Sequence, residues 1–233
     1  MPGATLVYLH DPLCGWCWGA TPALDALARS GAWRVHALPT GLFAGDPGRR
    51  LDPAMAAHIR HADQRIAQLS GQPFSDAYFR RVVDADPPLP FDSMPATRAL
   101  CAAARHAPTR ERAALAAIQR ARWVDGLDIA DAGVLASALA FAAGGAAADW
   151  RARLADDSLD AATHERLRLA QRLMRRWGVA GVPALVAVDA IDSDDDAEAA
   201  LVERAAVAGR PVSSGALFDG SLHSHEGSHS IFS

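Results

Sequence analysis

Residues 10 to 19 read His10-Asp11-Pro12-Leu13-Cys14-Gly15-Trp16-Cys17-Trp18-Gly19, or HDPLCGWCWG, and this stretch holds two of the chain's three cysteines. Its surroundings decide how the pair is read. Before it, residues 5 to 9 (TLVYL) form a short run rich in strand formers. After it, residues 17 to 29 set Ala20, Ala23, Leu24, Leu27 and Ala28 on one face at helical spacing, and Gly31 follows as a stop. Residues 33 to 38 (WRVHAL) alternate as a second strand does. The chain therefore opens with a strand-helix-strand unit whose first strand-to-helix turn carries the cysteines.

Thiol-disulfide exchange requires an attacking thiolate, and an ordinary thiol is mostly protonated at neutral pH. Cys14 stands at the turn into a helix, where free backbone N–H groups and the positive end of the dipole favour a negative sulfur. Cys17 lies one helical turn later on the same side, placed to attack a mixed disulfide on Cys14 and release the partner. The expected roles are Cys14 as exposed nucleophile and Cys17 as the more buried resolving thiol. His10 and Asp11 stand close enough in sequence to tune the thiolate, an imidazolium lowering a thiol pKa and a carboxylate raising it. Trp16 is expected toward the surface as an apolar platform for substrate, and Trp18 toward the core.

Metal binding has little to build on. A zinc site wants four ligands, and the chain has neither a second CxxC nor a suitably spaced Cys-His pair; Cys101 and His10 would have to meet by folding. Cys101, within ALCAA, reads as a buried helix residue. His58 and His61 read as surface residues. No metal is expected.

From residue 53 the pattern turns helical for over a hundred residues, with expected helices near 53 to 69, 75 to 84, 94 to 106, 109 to 123, 131 to 143, 146 to 154 and 159 to 177. Ser93 and Thr109 occupy N-cap positions. The last helix gathers Leu159, Leu167, Ala170, Leu173, Met174 and Trp177 on one face, which reads as a docking face, and Gly178 ends it. Val182-Pro183 then leads into ALVAV, residues 184 to 188, a continuous apolar run typical of a buried strand. A helix is expected over 194 to 208, with acidic residues in its first turn. That acidic run lacks the glycine and closing glutamate of a calcium loop. A last strand is expected over 212 to 218, and the polar tail from Ser221 shows no apolar period.

Half of the 233 residues are hydrophobic, enough for a large core. A net charge of -4 excludes the electrostatic footprint of nucleic-acid binding. All 23 basic residues are arginine. No apolar window is long enough for a membrane span, and the N-terminus lacks the features of a signal peptide. The expected compartment is the cytoplasm, where a close cysteine pair is catalytic or metal-binding rather than structural.

DPLCGWCWG, followed far downstream by GVPALV, resembles the DsbA-like branch of the thioredoxin superfamily, especially its signal-less protein-disulfide-isomerase-like and FrnE-like members. The resemblance covers about residues 4 to 190. It implies an α/β thioredoxin-like fold with a large all-helical insertion: a discontinuous thioredoxin-like domain of residues 1-48 and 178-233, and a helical domain of residues 49-177. It also implies Cys14 as nucleophile, Cys17 as resolving thiol, and Pro183 as a cis proline facing the disulfide. Independently, X-Pro bonds account for nearly all cis peptides, and a cis turn at Val182-Pro183 would leave the Val182 backbone free to pair with an extended substrate. The family usually finishes with a strand and a helix packed on the sheet. Nothing after Phe218 resembles that helix, so the closing edge of the sheet is left open at this point.

The expected function is disulfide reduction or isomerisation, with protein or small-molecule thiols and disulfides as partners. No cofactor is expected beyond glutathione as reductant or co-substrate. Two alternatives stand beside it: a kappa-like glutathione-dependent transferase or isomerase, and a binding or chaperone module switched by its cysteines.

Overall fold

Residues 5 to 10 are all buried, so the first strand, β1 (Ala4–His10), is covered on both faces. In the computed structural model of the chain, which describes residues 4–188, 209–212 and 215–219, β1 is one of the two central strands of a four-stranded sheet ordered β2-β1-β3-β4. It pairs in parallel with β2 (Trp33–Pro39), with Leu6 opposite Val35 and Tyr8 opposite Ala37. On its other side it pairs antiparallel with β3 (Ala184–Val188), with Val7 opposite Val186. The edge strand β4 (Arg210–Val212) pairs antiparallel with β3. Its Pro211 lacks an N–H to donate, which an edge strand tolerates.

The alternation of side chains along β1 divides the core. Leu6 and Tyr8 face the cluster that contains Cys17, Ala20, Leu24 and Leu27. Val7 and Leu9 face Leu169, Ala170, Leu173 and Trp177. The apolar face of the long helix thus docks on the sheet. That helix, α9 (Ser158–Trp177), ends at Gly178, whose φ of 66° suits the left-handed cap. Near its middle the buried Arg166 pairs with Glu111 through Nη1–Oε1 at 2.8 Å and Nη2–Oε2 at 3.2 Å, and also donates to the Ala37 carbonyl.

The single helix expected over 17 to 29 is two: α1 (Gly15–Gly19) and α2 (Thr21–Arg29). Pro22 explains the break, because it supplies no N–H to the Trp18 carbonyl and its ring crowds that turn. Between β2 and β3 stand α3 (Pro53–Ser70), the short α4 (Asp76–Tyr78) continued by a wide turn over Phe79–Val83, α5 (Met94–His106), α6 (Glu111–Trp123), α7 (Ala132–Ala143), α8 (Ala147–Leu154) and α9. These lie within a few residues of the expected helices. Neither expected N-cap works as such. Ser93 precedes α5 but makes no capping bond, and Thr109 lies inside a tight turn, Pro108–Arg110, ahead of α6.

The end of the chain corrects the sequence reading. Residues 212 to 218 are not one strand: the strand stops at Val212, and Ala216–Asp219 is a helical turn, α10. The reason is side-chain direction. Leu217 is buried in the main core while its neighbour Phe218 packs on Trp16, and consecutive strand residues cannot both face inward on one side. Among the described residues the edge beyond β3 is formed by β4, and α10 rests on α2. The helix expected over 194 to 208 and the tail from Ser221 lie outside the described residues.

Candidate active site

The cysteines sit where β1 ends and α1 begins, and Asp11 shapes the turn between them. Its Oδ1 accepts the Leu13 N–H at 2.8 Å, and its Oδ2 accepts the Phe43 N–H at 3.1 Å and the Ser93 hydroxyl at 2.8 Å. The Cys14 N–H closes the turn on the Asp11 carbonyl at 3.0 Å. Ser93, expected to cap a helix, is instead committed to this carboxylate. Asp11 is fully buried; burial pushes its carboxyl up while these donors pull it down.

Cys14 occupies the N-cap position of α1, in extended conformation, and its Sγ accepts the Cys17 N–H at 3.3 Å. The sulfur thus fills the role usually taken by a serine or aspartate oxygen. Both cysteines are free thiols. Cys17 is 0 % exposed and Cys14 only 6 %, so the expectation of an exposed Cys14 is corrected: it is the more accessible of the pair, but it is covered. Part of the cover is the Val182-Pro183 loop, whose Val182 carbonyl accepts the Cys14 thiol at 3.7 Å. The Val182-Pro183 bond is cis. A second cis bond, Asp86-Pro87, was not anticipated.

Burial raises the Cys17 thiol well above its ordinary value, and the adjacent Cys14 sulfur and the Asp11 charge add to the rise. Cys17 is therefore protonated at neutral pH. Beneath it the buried Tyr8 donates its hydroxyl to the Cys17 carbonyl at 3.2 Å. His10 stacks on Tyr8 with ring centroids 5.2 Å apart, and neither ring nitrogen has a hydrogen-bond partner among the described residues. Burial lowers it to about 3, with the Arg166 and His36 charges acting in the same direction. It is a neutral ring at physiological pH, not the imidazolium that a thiolate-stabilising role requires.

Trp18 lies in the core as expected, whereas Trp16, expected toward the surface, is only partly exposed and packs on the main core. Trp16 is half-buried and packs edge-on against Phe218, with centroids 5.3 Å apart. Trp18 is buried, stacks on Trp123 at 6.0 Å and donates its indole N–H to the Pro73 carbonyl. Cys101 lies buried in α5, where Arg166 donates to its sulfur at 3.7 Å. His58 and His61 are exposed on α3. No group of three histidines, cysteines or carboxylates suited to a metal occurs among the described residues.

Sequence reasoning missed Asp63. It is buried on α3, accepts the Tyr78 hydroxyl at 2.8 Å, and would lie 2.8 Å from a Cβ placed on Gly15. Gly19 is equally confined, since a Cβ there would meet Ile66 at 2.6 Å. Both glycines of α1 thus let α3 approach the CxxC turn closely. A signal existed: Ile59, Asp63 and Ile66 share one helical stripe, and a carboxylate on an apolar stripe asks for a partner.

A family model described as a DSBA-like thioredoxin domain matches residues 5–204. No protein of curated function matches the chain by sequence. Among solved structures, the cytosolic disulfide reductase DsbM from Pseudomonas aeruginosa is 30% identical, with a TM-score of 0.72 over 93% of each chain. The structure of DsbM with GSH is 34% identical, with a TM-score of 0.66 over 87% of this chain and 100% of that one. A 2-hydroxychromene-2-carboxylate isomerase shares the fold at 17% identity, with a TM-score of 0.53 over 87% of this chain and 94% of that one.

Proposed function

The chain belongs to the family of DSBA-like thioredoxin domains, and from that premise we propose that it is a cytoplasmic thiol-disulfide oxidoreductase that reduces or isomerises disulfides through Cys14 and Cys17. The observation that carries the reading is the Cys14 sulfur at the head of α1, bonded by the Cys17 N–H and faced by the Val182 carbonyl.

Exchange through the pair would run in two displacements. Cys14, as thiolate, attacks one sulfur of a substrate disulfide; a new S–S bond joins Cys14 to the substrate, and the other substrate sulfur leaves and takes a proton. Cys17 then loses its proton and attacks the Cys14 sulfur. The Cys14–Cys17 bond forms, the second substrate thiol departs, and two electrons and two protons have passed to the substrate. Cys17 starts protonated and buried, so it waits until the mixed disulfide brings a reactive sulfur beside it. Trp16 and the Val182-Pro183 loop flank Cys14 and hold the substrate against it, the half-buried indole supplying apolar contact and the Val182 backbone a strand-like partner.

Glutathione fits as the electron donor: two molecules break the Cys14–Cys17 bond and leave as glutathione disulfide. The likeness to DsbM, a cytosolic disulfide reductase also solved with GSH, supports both the direction and the donor.

The test is an equilibrium titration in glutathione redox buffers, followed by tryptophan fluorescence and by mass, with Cys14→Ser as control. A reversible two-electron transition absent from the control is expected, and its midpoint gives the direction of electron flow. Turnover of a glutathione-dependent substrate without any Cys14–Cys17 bridge would overturn the reading in favour of a glutathione transferase or isomerase.

A further inference from the structure

Asp11 lies just past the end of β1 at 0 % exposure, and donors surround its carboxylate. The Leu13 N–H reaches Oδ1, the Phe43 N–H and the Ser93 hydroxyl reach Oδ2, and the Leu42 N–H adds a bond of its own. A backbone N–H cannot turn round to accept, so a protonated carboxyl here would set one donor against another. The CxxC turn, the loop after β2 and the head of α5 all meet on Asp11 and hold it as an anion against the cost of burial.

The same residue meets the resolving cysteine. The Asp11 N–H hydrogen-bonds to the Cys17 sulfur, and the Asp11 charge opposes a negative charge there. Cys17 is also 0 % exposed, so water screens that charge little. Of the other groups around the sulfur, Cys14 opposes its ionisation too. Tyr8, from β1, gives its hydroxyl to the Cys17 carbonyl and is kept neutral by burial. Asp63, from α3, meets the turn at Gly15.

We infer that Asp11 is a positioning residue for the second displacement: its fixed charge keeps Cys17 a thiol and so prolongs the life of the mixed disulfide on Cys14. The inference rests on the dithiol reading above. In this step Cys17 gives its proton to water and its sulfur bonds to the Cys14 sulfur. The bond from Cys14 to the partner breaks, and the departing partner sulfur takes up a proton. A carboxylate beside Cys17 raises the cost of the first of these events. A partner with several cysteines then has time to exchange within itself while it is held on Cys14, which is isomerisation rather than reduction.

The experiment mixes the full reduced chain with oxidised glutathione at about pH 7, stops the reaction with acid, and follows the mixed disulfide and the Cys14–Cys17 bridge by intact mass. Wild type, Asp11→Asn and Ser93→Ala are compared, with near-ultraviolet circular dichroism confirming the fold. Asp11→Asn is expected to close the bridge about threefold faster, because a thiol about one pH unit more acidic ionises more readily but attacks less strongly. Ser93→Ala removes a donor and keeps the charge, so it is expected to resolve at the wild-type rate or more slowly. Damage to the scaffold slows the step in both variants; only loss of the charge speeds it in one. An Asp11→Asn rate at or below that of wild type overturns the inference, as does a gain shared by Ser93→Ala.

If Asp11→Asn does not fold, the carbon-13 carboxyl resonance of Asp11 in the Cys14→Ser chain decides. It is expected at its ionised position at about pH 7, and it is expected to move as Cys17 loses its proton at higher pH. A protonated Asp11 at neutral pH, or a resonance that stays still while Cys17 titrates, overturns the inference. A wild type that never bridges Cys14 to Cys17 overturns the dithiol reading and this one with it, whereas a bridge that closes at one rate in wild type and Asp11→Asn overturns this one alone.

Discussion

The Val182 carbonyl oxygen faces the Cys14 sulfur at 3.7 Å, although 168 residues of chain separate them. Cys17, one helical turn beyond Cys14, is fully buried. A disulfide arriving from solvent can therefore reach Cys14 and not Cys17. Treating Cys17→Ser with oxidised glutathione is expected to leave a stable mixed disulfide on Cys14, read by intact mass. Cys14→Ser is expected to take up none, and equal labelling of the two variants would reverse the assigned roles.

Gly15 is confined by Asp63 and Ile66, at 2.8 and 3.2 Å from the position of a Cβ. Gly15→Ala is expected to cost about 1–3 kcal/mol by urea denaturation, because either the turn or α3 must shift. In an Asp63→Ala background the same substitution is expected to cost less, since the nearest obstacle is gone. Strict additivity of the two changes would mean that the contact does not constrain the turn.

His10 is buried with both ring nitrogens unpartnered among the described residues, and its folded value is lowered to about 3. The unfolded chain binds a proton near pH 6.5, so the stabilising contribution of the neutral ring is complete above that pH and is lost as the pH falls toward 3. At about pH 5 the loss amounts to about 2 kcal/mol. His10→Phe keeps the stack on Tyr8 without the titration. The difference in unfolding free energy between the variant and wild type is expected to move in the variant's favour by that amount between about pH 7.5 and about pH 5. Parallel stability profiles would contradict it.

Arg166 and Glu111 form a buried pair, with side chains 8 % and 9 % exposed. Arg166 also reaches the Ala37 carbonyl and the Cys101 sulfur, so it ties α9 to α6, β2 and α5. Arg166→Met leaves Glu111 buried and unpaired, and about 3–5 kcal/mol of stability is expected to be lost in chemical denaturation. Replacing both, Arg166→Met with Glu111→Leu, is expected to recover most of it. A single-variant loss below about 1 kcal/mol would mean that water reaches the carboxylate.

The helices were legible because their signals are local. Apolar spacing set their spans and Gly178 marked the end of α9, whereas the caps that work, Asp52 before α3 and Asp131 before α7, are not the two that the sequence reading chose. The CxxC pair was legible for the same reason: its placement needs only β1, α1 and the residues between. Asp63 was not, because its significance lies in what it meets across helices, although its position on an apolar stripe was visible. The state of His10 escaped as well, since a histidine four residues before a cysteine looks the same in sequence whether it is charged at the surface or buried at the end of β1.

By itself the sequence determined the strand-helix-strand opening, the helices that follow and the cysteine pair at the head of a helix, all of which depend on side-chain periodicity within a few residues. The tertiary structure alone decided that Cys14 is covered by a loop 168 residues away, that Ser93 serves Asp11 rather than α5, that α10 closes the fold against Trp16, and that a buried carboxylate rests on Gly15. These depend on which elements pack together, and burial, which sets both contact and charge, is a property of that packing and not of any short stretch of chain.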